Sequence, residues 1–102
     1  MKDKAKKAKD EGDYEMVVEI LKDLNFKIDN LLFGTSLQKN RFKSQNFNAI
    51  GQNYEKLGSF QNAEAYYLKS AKINLELPFK KNYQSILENY FNLANLYKTI
   101  GD

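Results

Sequence analysis

The sequence contains no cysteine and no histidine, and each absence closes off a class of chemistry. Without cysteine there are no disulfides, no thiolate metal sites and no thiol nucleophile. Without histidine, the usual general base near neutral pH and the commonest transition-metal ligand are missing. Tryptophan is absent too, so the bulky packing groups are Tyr and Phe, seven of each. No apolar run approaches the roughly 18 residues that span a bilayer. The Lys-rich start has no apolar segment behind it, as a secretory signal would. Phosphate-cradling Gly loops, Glu-x-x-His pairs and Ser-nucleophile patterns are also missing. Asp10, Glu11, Asp13 and Glu15 are close together, but around a predicted turn, where acids favour the start of the next helix. The expectation is a non-enzyme with no metal, no cofactor and no membrane segment, set by default in a reducing cytoplasm.

A chain of 102 residues is the size of one domain, and 42% hydrophobic with 28% charged residues fits a folded one. The net charge of +3 is unevenly placed. Residues 1–9, MKDKAKKAK, hold five Lys and one Asp, net +4, leaving −1 for everything after. The basic character belongs to the N-terminal arm, which weakens any nucleic-acid argument built on charge alone.

Helical spacing runs through the rest. From Asp13 to about Leu32, apolar residues fall at Met16, Val17, Ile20, Leu21, Leu24, Ile28 and Leu31, in steps of three and four. Gly34 can end that helix, and Thr35 or Ser36 can cap the next. A second segment, about Ser36 to Leu57, carries Leu37, Phe42, Phe47, Ile50, Tyr54 and Leu57. Gly58 closes it, and Ser59 can cap a third from Phe60 to about Leu77, where Pro78 stops it. A fourth spans about Phe79 to Ile100. A short helix over residues 2–11, separated by Gly12, brings the expected total to about five. No alternating strand pattern occurs, so the predicted class is all-α.

The chain also repeats itself. At an offset of 43 residues, Phe47, Ile50, Gly51, Tyr54, Leu57 and Gly58 fall on Tyr90, Leu93, Ala94, Tyr97, Ile100 and Gly101. At an offset of 46, Gly12, Tyr14, Val17 and Leu21 fall on Gly58, Phe60, Ala63 and Tyr67. The order Phe47, Ile50, Gly51, Tyr54, Gly58, Phe60, Ala63, Tyr67, Ser70 resembles the tetratricopeptide repeat (TPR), a helix–turn–helix unit. NYFNLANLYKTIGD resembles the first helix of a further repeat, and GDYEMVVEIL the second helix of an earlier one. The offsets exceed the usual ~34 residues of a TPR. Longer repeats of this kind are similar to those of kinesin light chains and bacterial peptide-pheromone receptors.

The resemblance implies an α–α superhelix of antiparallel helix pairs, a single domain over residues 1–102. Its parts would be a partial repeat 1–35, a repeat 36–78 and the first helix of another at 79–102, cut from a longer array or closed by self-association. It further implies a scaffold that binds a protein or an extended peptide in a concave groove lined by first helices. Carried over by position, the groove residues are Asn48, Gln52, Glu55, Phe91, Asn92, Asn95 and Lys98, flanked by Gln45 and Glu88. Lys2, Lys6 and Lys9 take the same place on the partial first helix. Asn and Gln offer both donors and an acceptor to a peptide backbone, although the same residues could simply be solvated. The rings Tyr54, Phe60, Tyr66, Tyr67, Tyr90 and Tyr97 read as packing, with Tyr54, Tyr67 and Tyr97 implied as core and Tyr66 expected to be the exposed one. Two rival roles are oligomerisation without a groove ligand, which would make a homo-oligomer, and nucleic-acid contact through the Lys-rich arm.

Overall fold

The computed structural model describes residues 2–31, 34–77 and 79–101, with side chains described from residue 12 onward except at 79–82. Lys2, Lys6 and Lys9, the rest of the basic arm and Pro78 therefore lie outside the described side chains. Among the described residues there are four helices: α1 (Lys2–Asp29), α2 (Ser36–Lys56), α3 (Phe60–Glu76) and α4 (Phe79–Gly101).

The expected break at Gly12 does not occur, because α1 runs straight through it. One glycine costs a helix only about 1 kcal/mol relative to Ala. The helix formers Lys6, Lys7, Ala8, Lys9 and Glu11 before it, with Glu15 and Met16 after it, outweigh that. Gly58 does terminate a helix, whereas α1 already ends at Asp29 and Gly34 lies in the connection before α2; both glycines have positive φ, +96° at Gly34 and +78° at Gly58. At Gly58 the N–H groups of Gly58 and Ser59 donate to the carbonyls of Glu55 and Tyr54. That is a Schellman closure, which a residue with a Cβ fits poorly. Thr35 caps α2 as expected: its hydroxyl accepts from the Gln38 N–H at 3.1 Å, while the Gln38 side chain accepts from the Thr35 N–H at 3.0 Å. Ser59 precedes α3 without a side-chain cap; its hydroxyl accepts instead from the Asn62 side chain at 2.8 Å. Leu77 ends α3 in extended backbone, the conformation a following proline imposes.

Successive helices pack against one another, and α2 also touches α4. The molecule measures 50 × 34 × 18 Å, and the shortest dimension is about two helix diameters. Its thickness is therefore two helices.

The core joins α2, α3 and α4 through Ile50, Ala63, Tyr67, Leu93 and Leu96. Gly51 is the point of closest approach: a Cβ there would lie 2.6 Å from the Tyr67 ring and 3.2 Å from the Ala63 carbonyl oxygen. The Tyr67 hydroxyl donates to Glu55 at 2.9 Å. Burial first, and then the Glu55 carboxylate, push that phenol well above its ordinary range.

Two ring assignments change. Tyr66 is half-buried, between Phe47 at 5.9 Å and Tyr54 at 5.5 Å, with Lys69 over its ring. Tyr97, implied as core, is 49% exposed. Its hydroxyl meets Glu64 on α3, so the ring stands at the edge of the α3–α4 seam and not inside it.

Candidate functional site

No group of His, Cys, Asp and Glu that could hold a metal is found among the described residues, and no described helix is long and apolar enough to cross a membrane. The polar chemistry concentrates where α2, α3 and α4 meet.

Ser44 on α2, Ser70 and Asn74 on α3 and Asn89 on α4 are each almost fully buried. Their hydrogen bonds close on themselves. The Ser44 hydroxyl donates to Asn74 Oδ1 at 2.5 Å, and the Asn74 amide donates to Asn89 Oδ1. Asn89 Nδ2 donates to Ser70 Oγ at 2.9 Å, and Ser70 Oγ donates to the Ser44 carbonyl at 2.8 Å. Such a satisfied ring holds three helices in one register, since a buried amide left unpaired costs about 1–3 kcal/mol.

Asn48 extends the ring toward the surface. Its Oδ1 accepts from Asn92 Nδ2 at 3.0 Å and more weakly from Asn89 Nδ2 at 3.4 Å. A small polar recess of about 120 Å³ opens here, with Gln45, Asn48, Ser85 and Glu88 among its walls. Beside it is a wider depression of about 500 Å³, lined by Gln52, Leu87, Glu88, Phe91 and Asn92. Glu88 borders both. Phe91, 68% exposed, and Leu87 give this depression an apolar floor between amide side chains.

Four of the predicted positions thus come together: Asn48, Gln52, Phe91 and Asn92. Glu55 lies farther along α2, where it receives the Tyr67 hydroxyl. Asn95 and Lys98 are exposed on α4 beyond the depression, and the Asn95 carbonyl accepts from the Thr99 hydroxyl at 2.9 Å.

The opposite seam, where α1 meets α2 and α3, is aromatic and basic. Lys22 donates to the Tyr54 hydroxyl at 2.8 Å and lies 5.3 Å from that ring's centre. The hydrogen bond to Tyr54 raises the Lys22 ammonium above its ordinary value, with burial opposing. The rings here pack helices together and are covered by lysines, which leaves little for a ligand to stack on.

Ser44, Asn74 and Asn89 belong to none of the sequence motifs. Their signal was available: each occupies a core phase of an otherwise apolar stripe, Asn89 three residues after Ile86 and four before Leu93.

Geometry and repeat pattern agree with one family. Residues 44–76 match the tetratricopeptide repeat. The matched TPR takes in most of α2, the Gly58 turn and all of α3, with Gly51 against Tyr67 at its centre. No curated protein and no solved structure matches the chain. TPRs are in general protein-interaction modules on a non-catalytic scaffold.

Proposed function

We propose that this protein binds an extended segment of a partner protein along the α2–α4 groove. One observation carries the reading: a depression of about 500 Å³ in which exposed Phe91 and Leu87 are flanked by the amides of Gln52 and Asn92. Amide side chains satisfy a peptide backbone in both directions, and the apolar floor takes a side chain from the ligand. Helices held in register by the buried ring would meet the ligand preorganised, which limits the ordering cost of binding. In this reading α2 and α3 form the complete repeat, α1 is the second helix of an earlier one, and α4 is the first helix of the next. Asn95 and Lys98 continue the groove along α4, while Glu55 contributes mainly through Tyr67. The role is non-catalytic, and a cytoplasmic setting goes with it.

A peptide-array screen followed by titration of the best binder tests this. Phe91→Ala and the Gln52→Ala/Asn92→Ala pair are each expected to weaken binding about tenfold or more, worth ~1.4 kcal/mol, with helicity unchanged. Binding that survives both variants at full strength rules the groove out.

A further inference from the structure

Among the described residues that line the small polar recess and the wider depression beside it, Glu88 is the only charged one. It is exposed, and no described residue pairs with it: the ion pairs engage Glu19, Asp23 and Asp29 instead. Its neighbours one turn away on α4 are Gln84 and Ser85 before it and Phe91 and Asn92 after it, all neutral. Arg41, a turn before Gln45 on α2, lines neither the recess nor the depression. Lys98 is ten residues further along α4. That is roughly 15 Å of helix, beyond the ~8–10 Å over which surface charges act in salt.

The recess that Glu88 borders is polar throughout. Ser44, Ser70, Asn74 and Asn89 at its base are hydrogen-bonded to one another, and Asn48 Oδ1 accepts from Asn92 and Asn89. The groups left to meet a ligand stand nearer the surface: exposed Gln45, half-buried Ser85 and the Glu88 carboxylate. At about 120 Å³ the recess is well below the ~300 Å³ at which small-molecule sites begin, so it takes one side chain of a larger ligand. An apolar side chain would leave these polar groups unpaired, and an acidic one would be repelled by Glu88. A basic one brings donors to the carboxylate, the Gln45 carbonyl and the Ser85 hydroxyl.

We propose that the bound segment carries a Lys or Arg whose side chain enters this recess and pairs with Glu88, two residues from the apolar side chain seated against Leu87 and Phe91. The assignment rests on the groove reading and adds the residue class that the groove selects. The step of two follows from geometry. Alternate residues of an extended chain face the same way, about 7 Å apart, and the recess and the depression adjoin with Glu88 as a shared wall.

The test uses a library of acetylated and amidated heptapeptides with a fixed central Leu and every other position randomised. Among members whose binding is weakened by Phe91→Ala, Lys and Arg should be enriched two positions before or after the Leu. Replacing that residue by norleucine in the best binder should weaken binding about tenfold or more. In the Glu88→Gln chain, with helicity unchanged by circular dichroism, the basic peptide and its norleucine counterpart should bind within about twofold of each other. If no peptide binds, or none depends on Phe91, the groove itself is wrong and the basic recess falls with it. Phe91-dependent binders without a basic residue at that step, or with an acidic one there, overturn the basic recess and leave the groove standing. So does a preference for the basic peptide that persists undiminished in Glu88→Gln.

Discussion

Gly51 and Gly12 are both helical glycines, yet they should respond oppositely to alanine. At Gly51 the new methyl would sit 2.6 Å from a ring carbon of Tyr67, itself buried and held by Glu55, and 3.2 Å from a backbone oxygen. Neither can move freely. Overpacking of about 1–3 kcal/mol should exceed the helix-propensity gain of up to ~1 kcal/mol, so Gly51→Ala is expected to lower the urea midpoint. At Gly12 nothing lies within 4 Å and the site is exposed. Gly12→Ala should raise stability by about 0.5–1 kcal/mol in the same assay. The first outcome follows from packing and the second from backbone entropy.

Helix ends give a matched pair at the scale of elements. Thr35 makes a reciprocal capping box, so Thr35→Ala should cost about 1 kcal/mol. Ser59 holds the equivalent place before α3 but makes no cap, so Ser59→Ala should stay within about 0.5 kcal/mol of neutral. Urea unfolding of the two variants side by side checks this, and equal losses would contradict the observed geometry. These ends also show what could be read in advance. The steps of three and four, Gly34, Gly58 and the Leu77–Pro78 junction placed α2, α3 and α4 to within a residue or two. Gly12 misled because a glycine interrupts a helix only when something else wants a turn there, and nothing at Gly12 does. Ser59 misled because cap formation depends on a side-chain torsion, which residue type does not set. The nearness of Asn48, Gln52, Phe91 and Asn92 was legible from the TPR-like spacing. The ring of Ser44, Ser70, Asn74 and Asn89 was not, since its closure needs three helices in place.

The whole molecule should lose stability in alkali. Tyr67 and Lys22 both have folded-state values raised above their ordinary 10.0 and 10.5. A raised value means the fold favours the protonated form, so the stabilisation is complete below the unfolded value and disappears as pH climbs past it. Thermal midpoints should be flat from about pH 8 to about pH 10 and then fall. Tyr67→Phe should start less stable and decline less steeply, because the phenol that loses its proton is gone. A mutant that declines as steeply as the parent would remove Tyr67 from the explanation.

The meeting of α2 and α4 through Asn48 and Asn92 has a mechanical consequence. Around Gly51 and Tyr67 the helices close on rings and methyls, but this junction is closed by amide hydrogen bonds near the surface. Water can replace such a bond at a net cost of about 1 kcal/mol. The junction is therefore an edge that water can enter, while the buried ring of Ser44, Ser70, Asn74 and Asn89 beneath it keeps the three helices in register.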